Sequence, residues 1–412
     1  MKKILSFLFA ALMLSACAST DRELSASDGS KGGDVTYDFA GGEGGSGGGG
    51  EGENNVQQQA GVVTAGEWRD LDNWAFWSNL MTNTQADQEG TDFTTYSSYW
   101  GLYTNNRVAV RVTDANGVPQ RDVRVILNRH SSIEEAPVLL YEARTDNRGE
   151  ANLWIGLTQK QESVDASALG LIVNGGAEQR TVAVTHWGDE VQWNECTASV
   201  TPATNIDIAF FVDATGSMTD EINFLKADLE SIITTVGNRH SDAAIRTAAL
   251  FYRDEGDEYV TRVNDFNTNL SSTISFIRKQ NADGGGDYPE AVHTALEKGL
   301  QSLSWRENNS IRLAFMLLDA PPHKNDQVIA SLQQSVPQYA KQGIRIIPVA
   351  ASGVDKPTEF FLRFTAIATD GTYVFITNDS GVGNEHIAAT VGDYKVELLN
   401  ELIVRLIDQY LQ

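Results

Sequence analysis

Residues 205–218 read NIDIAFFVDATGSM, and this stretch decides the fold. Its first half, Ile206–Val212, is an almost unbroken apolar run with the length of a strand that is buried on both faces. Small polar residues follow at Asp213–Ser217, and a helical pattern then runs from Thr219 to Val236. An apolar strand that leads directly into an amphipathic helix is typical of a parallel sheet covered by helices.

The same alternation of strand and helix continues to the end of the chain. Further buried strands are predicted at Thr247–Tyr252, Leu313–Leu318, Ile344–Val349 and Tyr373–Ile376. Helical patterns lie between and after them, at Leu270–Lys279, Pro289–Leu303, Asn325–Lys341, Thr358–Ala368 and Asp393–Leu411. We therefore predict a doubly wound, mostly parallel α/β fold of the Rossmann type over residues 204–412. In such folds, ligands bind beyond the carboxyl ends of the strands.

The loop after the first strand carries oxygen-bearing side chains. Asp213, Thr215 and Ser217 together offer one carboxylate and two hydroxyl groups. A hard divalent cation takes oxygen ligands, and the start of the next helix can orient water around it. The same residue types also cap helices, so the loop alone leaves a capping role open.

The pattern Asp213-x-Thr215-x-Ser217 resembles the metal loop of von Willebrand factor A domains, which reads Asp-x-Ser/Thr-x-Ser. The resemblance covers roughly Asn205 to Gln412 and extends to two more loops. Asp319 follows an apolar strand where that family places its third-loop aspartate, and residues 284–290, GGGDYPE, stand where the family has its second loop. The resemblance implies a metal-ion-dependent adhesion site holding Mg²⁺ or Ca²⁺, with an oxygen of a partner protein completing the coordination.

The second loop departs from the usual pattern because Asp287 stands where threonine is common. The hemicentin-like and alpha-kinase-associated A domains are similar to this chain in that loop. Three carboxylates, from Asp213, Asp287 and Asp319, would leave the ion less attraction for an acidic partner group. If Asp287 binds the ion directly, we therefore expect the partner to contribute a neutral oxygen. If Asp287 acts through water, an acidic partner oxygen stays open as well. Asp254, Tyr288 and His323 are candidates for a partner-binding rim around the ion.

The N-terminus predicts export and a lipid anchor. Lys2 and Lys3 precede an apolar run that ends in Leu14-Ser15-Ala16-Cys17, which resembles a bacterial lipobox. The resemblance implies cleavage of residues 1–16, a lipid on Cys17 and anchoring in the membrane. Ala18 is not the aspartate that retains some lipoproteins in the inner membrane, so we expect the outer membrane of the cell envelope. An ordinary secretory signal is the alternative.

Composition changes along the chain. Residues 17–60 are rich in glycine, serine and acidic residues, which predicts a flexible linker. Residues 61–103 are crowded with aromatic residues and are expected to connect domains. From residue 104 to 200, short alternating strands and turns containing glycine predict a β-sandwich that resembles immunoglobulin-like and carboxypeptidase regulatory-like modules. The net charge of −24 argues against binding to nucleic acid and fits binding of cations.

Two alternatives to a metal-dependent binding protein stay open. One is a structural spacer lipoprotein that binds no metal. The other is a magnesium-dependent phosphoaspartyl transferase, because its nucleophile loop also reads Asp-x-Thr-Gly-Ser. Such an enzyme needs an activating lysine and a later acidic cluster, whereas Asp319 stands in Asp-Ala-Pro-Pro-His. A serine hydrolase built on Ser217 lacks the second glycine of a nucleophile elbow. We therefore expect that the chain is not an enzyme.

Overall fold

The computed structural model describes residues 59–82, 93–130, 136–160, 165–175, 178–188 and 191–412. The predicted signal peptide, the lipid attachment at Cys17 and the linker up to residue 58 lie outside these ranges. The residues from Val56 onward form one compact unit. No helix among the described ranges combines the length and the apolar character needed to cross a membrane.

Helices and strands follow one another in an order that separates the chain into two parts. The first part contains β1 (Thr64–Trp68), α1 (Trp74–Thr82), α2 (Phe93–Trp100), β2 (Arg107–Thr113), β3 (Arg124–Arg129), β4 (Val138–Arg144), β5 (Glu150–Trp154), β6 (Leu169–Gly175), β7 (Glu178–Ala183) and β8 (Trp193–Thr197). The second part contains β9 (Asn205–Asp213), α3 (Ile222–Arg239), β10 (Ala244–Tyr252), β11 (Thr261–Asn267), α4 (Leu270–Arg278), α5 (Val292–Gln301), β12 (Ser310–Leu318), α6 (Asp326–Gln342), β13 (Ile344–Ala350), α7 (Lys356–Ala368), β14 (Tyr373–Ile376), β15 (Glu397–Leu398) and α8 (Leu399–Leu411).

The large sheet is mixed and has the order β11-β10-β9-β12-β13-β14-β1-β15. Its central strands, from β10 to β14, are parallel, and β11, β1 and β15 pair antiparallel at the two edges. The first strand of the parallel set, β9, lies between β10 and β12. The strand order runs outward from β9 in both directions, first to β10 and β11 and later to β12, β13 and β14. Doubly wound sheets bind ligands at such a switch point.

Alternate residues of β9 point into two separate cores, as expected for a strand covered on both faces. Ile208 and Phe210 join a cluster with α3, α4 and α8, whereas Ala209 and Phe211 join a cluster with α5, α6 and α7. This arrangement confirms the predicted α/β architecture of the second part, in which helices cover both faces of the sheet. Three predicted helices begin earlier than the observed ones: the first residues of Thr219–Val236 belong to a 3-10 turn and α3 begins at Ile222, Pro289–Leu303 begins at Val292, and Asp393–Leu411 begins at Leu399.

The aromatic segment between residues 61 and 103 contributes to the large sheet. Its strand β1 inserts between β14 and β15, with Trp68 opposite Tyr373. Its helices bury Trp77, whose ring stacks on Phe360 of α7 at 5.8 Å between centroids. The segment is thus part of the α/β unit as well as a connection along the chain.

Residues 107–197 form two smaller sheets, ordered β5-β2-β8 and β4-β3-β6-β7. The second is antiparallel throughout, whereas β2 and β8 pair in parallel. Their apolar residues join the same core cluster as α6 and α7, and the Tyr141 hydroxyl donates to the Ala368 carbonyl at 2.6 Å. The immunoglobulin-like character of this region stays a prediction.

Candidate functional site

The first loop of the site is held together by its own hydroxyl groups. The Thr215 backbone N–H and hydroxyl both donate to Asp213 Oδ1, at 2.9 and 2.7 Å, and the Thr215 and Ser217 hydroxyl oxygens lie 3.2 Å apart. Asp213 Oδ2 is buried and has no hydrogen-bond partner in the described part of the chain. Thr215 precedes the 3-10 turn but makes no side-chain capping bond, so capping does not explain this loop.

The second loop lies directly against the first. The backbone N–H of Gly216 donates to the Gly284 carbonyl at 3.0 Å, and that of Asp283 donates to the Ala214 carbonyl at 3.0 Å. Gly284 and Gly285 have φ of +77° and +70°, a conformation that side chains other than glycine rarely adopt. The glycine run therefore lets the second loop follow the surface of the first at backbone contact distance.

The third loop completes the same end of the sheet. Asp319 follows β12, which pairs in parallel with β9, so Asp213 and Asp319 leave neighbouring strands at their carboxyl ends. The Asp319 carboxylate is buried, and its Oδ1 has no hydrogen-bond partner within the described ranges. The structure thus brings Asp213, Thr215, Ser217 and Asp319 together at one end of the sheet, and their role as metal ligands stays a prediction.

The electrostatics of this place are unfavourable for unpaired carboxylates. Burial raises the pKa of Asp213, and the nearby charge of Asp319 raises it further, while the bonds from Thr215 oppose the shift. Burial also raises the pKa of Asp319, and a hydrogen bond from Ser217 opposes this. Buried carboxylates of this kind are stable as anions only when a cation or hydrogen-bond donors compensate them.

Asp287 does not join this buried group, because its side chain is exposed. A carboxylate that the sequence reasoning missed, Glu290, lies in the same loop and is only 2% exposed. Burial and the charges of Asp213 and Asp254 raise the pKa of Glu290 to about 9. The only sequence signal for it was its place in GGGDYPE, three residues after Asp287, and spacing alone cannot show which carboxylate turns inward.

Glu221 was also missed. It is buried at the start of α3, and its Oε1 accepts a bond from the Ser352 backbone N–H at 3.0 Å. His386 Nε2 lies 3.5 Å from the same oxygen. Glu221 also raises the pKa of Asp319, so its carboxylate adds to the negative charge near the site.

The three rim residues lie around the site with different contacts. His323 Nε2 is 2.6 Å from Asp254 Oδ1, which makes a partly buried hydrogen bond. Tyr288 is 43% exposed, and its hydroxyl donates to the Gly353 carbonyl and accepts from the Asp355 backbone N–H, both at 3.0 Å. The ring of Tyr288 is therefore fixed in place at the surface.

The donor set fits a hard divalent cation. Carboxylate and hydroxyl oxygens are the ligands that Mg²⁺ and Ca²⁺ prefer. Four buried carboxylates here each retain an oxygen without a hydrogen-bond partner among the described residues, those of Asp213, Asp319, Glu290 and Glu221. Across the described ranges, no three Asp, Glu, His or Cys side chains are arranged to hold one ion together. An ion here would therefore use hydroxyl groups and water besides one or two carboxylates.

A doubly wound sheet with an Asp-x-Thr-x-Ser loop at its switch point defines a known class of domain. Residues 207–354 match the family model described as the von Willebrand factor A domain, so this part of the chain is such a domain. At the level of the family, the domain supports a role in protein interaction or adhesion.

Two relatives share this region. A protein of Acanthamoeba polyphaga mimivirus described as ariadne-like with a RING finger is 35% identical over 118 residues, or 29% of this chain and 11% of that protein. The alpha-protein kinase vwkA of Dictyostelium discoideum is 30% identical over 143 residues, or 34% of this chain and 22% of the kinase. The chain therefore spans only a small part of either relative.

Proposed function

We propose that this chain is a lipid-anchored protein of the bacterial cell envelope that binds another protein through a divalent cation held at Asp213, Thr215, Ser217 and Asp319. The observation that carries the proposal is the pair of buried carboxylates, Asp213 and Asp319, each with an oxygen that lacks a partner in the described ranges. A divalent cation supplies the positive charge that these groups lack, and an open coordination position would accept an oxygen from the partner.

The surroundings of the site favour some partners over others. Asp283, Glu255 and Glu258 are exposed acidic residues near the second loop and β10. Like charges repel an acidic partner surface, so the partner is expected to bring its metal-binding oxygen on a neutral or basic surface. The donor oxygen itself stays open between acidic and neutral, and this argument concerns the partner surface around it.

Anchoring is supported by the sequence of the N-terminus. A short apolar run, small residues and Cys17 are followed by a linker whose composition buries little apolar surface. Such a linker would hold the A domain away from the lipid headgroups. The outer membrane is the proposed location, because Ala18 follows the cysteine.

The cation proposal is tested by calorimetric titration of Mg²⁺, Ca²⁺ and Mn²⁺ into the mature chain, with thermal unfolding measured in parallel. We expect binding and a higher melting temperature with metal, since a ligand that binds only the folded state stabilises it. The matched variant is Asp213→Asn, which keeps the side-chain size and removes one buried charge. It should unfold without metal at the same or a higher temperature and lose the metal-dependent shift. A parent chain that shows neither heat nor a shift would leave only the spacer alternative.

The lipid anchor is tested separately. Replacing Cys17 by Ala removes the thiol that would carry the lipid, so the variant should leave the membrane fraction and appear in the soluble fraction of cells. In detergent partitioning, the parent chain should enter the detergent phase and the variant the aqueous phase. Equal partitioning of variant and parent would refute the anchor but would not affect the metal site.

We also propose that the chain is not an enzyme. The described contacts of the Ser217 hydroxyl are with the Thr215 hydroxyl, at 3.2 Å, and with the Asp319 carboxylate, and not with an imidazole that could activate it. A phosphatase assay with a generic aryl phosphate and Mg²⁺ tests the phosphoaspartyl alternative. Turnover that disappears in Asp213→Asn would contradict the proposal.

A further inference from the structure

We propose that Glu290, and not Asp287, is the carboxylate through which the second loop acts on the cation, as a positioning residue that holds a water ligand. The inference rests on the proposed binding of a divalent cation. It assigns the second loop's effect on the cation to Glu290, whereas the family pattern assigns it to the position of Asp287.

The backbone fixes Glu290 beside the third loop. Its N–H donates to the Pro321 carbonyl at 2.8 Å, and Glu290 forms a parallel bridge with Pro322. Pro321 is two residues after Asp319, so the two acidic residues belong to loops that are joined by hydrogen bonds. Asp287 lies three residues earlier, where the chain is exposed.

The side chain of Glu290 turns under the glycine run toward the first loop. A Cβ atom placed on Gly285 would lie 2.9 Å from Glu290 Oε1 and 3.3 Å from the Thr215 Cβ. The carboxylate and the threonine side chain therefore contact the same face of Gly285. Glycine at this position leaves the space that the carboxylate occupies.

The carboxylate has an oxygen that the protein does not satisfy. Glu290 is 2% exposed, and its Oε2 is buried without a hydrogen-bond partner among the residues that the structure describes. A buried polar atom in this state is destabilising unless water or an ion pairs with it. An isolated acidic cluster on the surface would be hydrated, whereas this oxygen points into the protein.

The charges that most affect the pKa of Glu290 are all negative. They are the carboxylates of Asp213, Asp254, Asp319 and Asp257, and each raises this pKa. The guanidinium of Arg253 lies nearby but donates to the Ala214 and Asn281 carbonyls, and it is not among the groups that offset these charges at the point where the three loops meet. A divalent cation at that point would interact favourably with all of these groups.

Direct ligation by Glu290 together with both aspartates does not fit the geometry. No three acidic, histidine or cysteine side chains in the described ranges converge on one position. We therefore assign Glu290 to the layer behind the direct ligands, where it accepts a hydrogen bond from a water molecule on the cation. Residues in such positions typically change metal affinity by about 10-fold to 100-fold when they are replaced.

The experiment compares two variants of the mature chain, Glu290→Gln and Asp287→Asn, by calorimetry with Mg²⁺ and by electron paramagnetic resonance of bound Mn²⁺. Glu290→Gln should lower the affinity for Mg²⁺ by about 10-fold to 100-fold and alter the Mn²⁺ spectrum. Asp287→Asn is the matched control and should change the affinity by less than about 3-fold, the change expected from one exposed charge. The reverse order, or an unchanged affinity in Glu290→Gln, would overturn the assignment.

Metal-free unfolding distinguishes a binding role from a purely structural one. Glu290→Gln keeps the side-chain size but can never carry a charge, so it should melt at the same or a higher temperature without metal while binding metal more weakly. Glu290→Asp retains the charge on a shorter side chain and should recover part of the affinity. A metal-free melting temperature that falls in both variants, with an unchanged Mn²⁺ spectrum, would show a structural role only. If the parent itself binds none of the three metals, the proposed cation site fails and this inference fails with it.

Discussion

Gly285 shows how strongly one residue of the site depends on having no side chain. Its φ of +70° disfavours any other residue, and a Cβ there would meet Glu290 Oε1 at 2.9 Å. The neighbouring Gly286 differs in both respects, because a Cβ there would meet nothing within 4 Å and its φ is not left-handed. Glycine is therefore required at position 285 by its backbone conformation and its close contact with Glu290, whereas neither of these requires glycine at position 286.

We expect Gly285→Ala to lower the free energy of unfolding by about 1–3 kcal/mol, from the strained backbone and the contact with Glu290. Gly286→Ala is the matched control and should change it by less than about 0.5 kcal/mol. Urea unfolding of both variants without metal measures the difference. Equal effects in the two variants would show that the glycine run is not packed as described.

At the scale of single elements, helix α3 has an acidic residue that binds the incoming chain. Asp228 is buried, and its Oδ1 accepts a bond from the Gly61 backbone N–H at 2.7 Å, three residues before β1. Its Oδ2 is buried without a partner in the described part of the chain. Burial raises the pKa of Asp228 to about 6, and the bond from Gly61 opposes this shift.

Because the folded state holds this proton more tightly than the unfolded chain, the contribution of Asp228 to stability is largest below its ordinary pKa of 3.8 and is lost as the pH rises through about 6. Asp228→Asn keeps an acceptor for Gly61 and carries no charge. The variant should be more stable than the parent at about pH 7.5, by up to about 3 kcal/mol, and equally stable near pH 3.5.

Urea unfolding at several pH values measures this difference. Glu230→Gln is the control in the same helix, because Glu230 forms a more exposed pair with Arg278. It should change stability by less than about 1 kcal/mol. A stability difference for Asp228→Asn that does not vary with pH would contradict the assigned cause.

The Asp70–Arg363 pair connects the N-terminal segment to helix α7. Arg363 is fully buried and donates from Nε to Asp70 Oδ2 at 2.9 Å and from Nη2 to Asp70 Oδ1 at 2.5 Å. Asp70→Asn leaves this guanidinium without its main counterion and should lower the free energy of unfolding by about 3–5 kcal/mol. Asp72→Asn weakens contacts with Arg148 and Arg69 in which the aspartate side chain is 46% exposed, and it should lower the free energy of unfolding by less than about 1 kcal/mol. Thermal unfolding of both variants tests the contrast, and similar melting temperatures would contradict it.

At the scale of the whole molecule, the A domain is completed by residues that precede it by more than a hundred positions. Strand β1 covers the edge of β14 and pairs with β15, and Asp70 provides the charge opposite Arg363. A chain that begins at Asn205 loses both. It exposes the hydrogen-bonding edge of β14, which favours association with other chains.

We expect the chain from residue 205 to 412 to aggregate or to unfold without cooperativity, whereas the chain from residue 59 to 412 stays monomeric. Size-exclusion chromatography and circular dichroism on heating compare the two. The longer chain is the control for expression and handling. A monomeric short chain with a sharp thermal transition would show that β1 is dispensable.

The sequence by itself determined the α/β architecture of the second part, because burial on both faces of a strand and on one face of a helix leaves a local, periodic pattern. It also predicted that Asp213, Thr215, Ser217 and Asp319 share a site, from their places after apolar strands and from their resemblance to the A-domain metal loops. It did not reveal β1, whose five residues, TAGEW, have no distinctive alternation and whose partner strand is about three hundred residues away.

Only the tertiary structure shows that the side chain of Glu290 is buried whereas that of Asp287 is exposed. Both are acidic, both lie in the same short loop, and a sequence carries no record of which side chain turns inward. That choice depends on the left-handed backbone at Gly284 and Gly285 and on the hydrogen bond from Glu290 to Pro321. The physical reason is general: strands and helices are set by neighbours along the chain, whereas the direction of a loop side chain is set by whatever surface the loop meets in space.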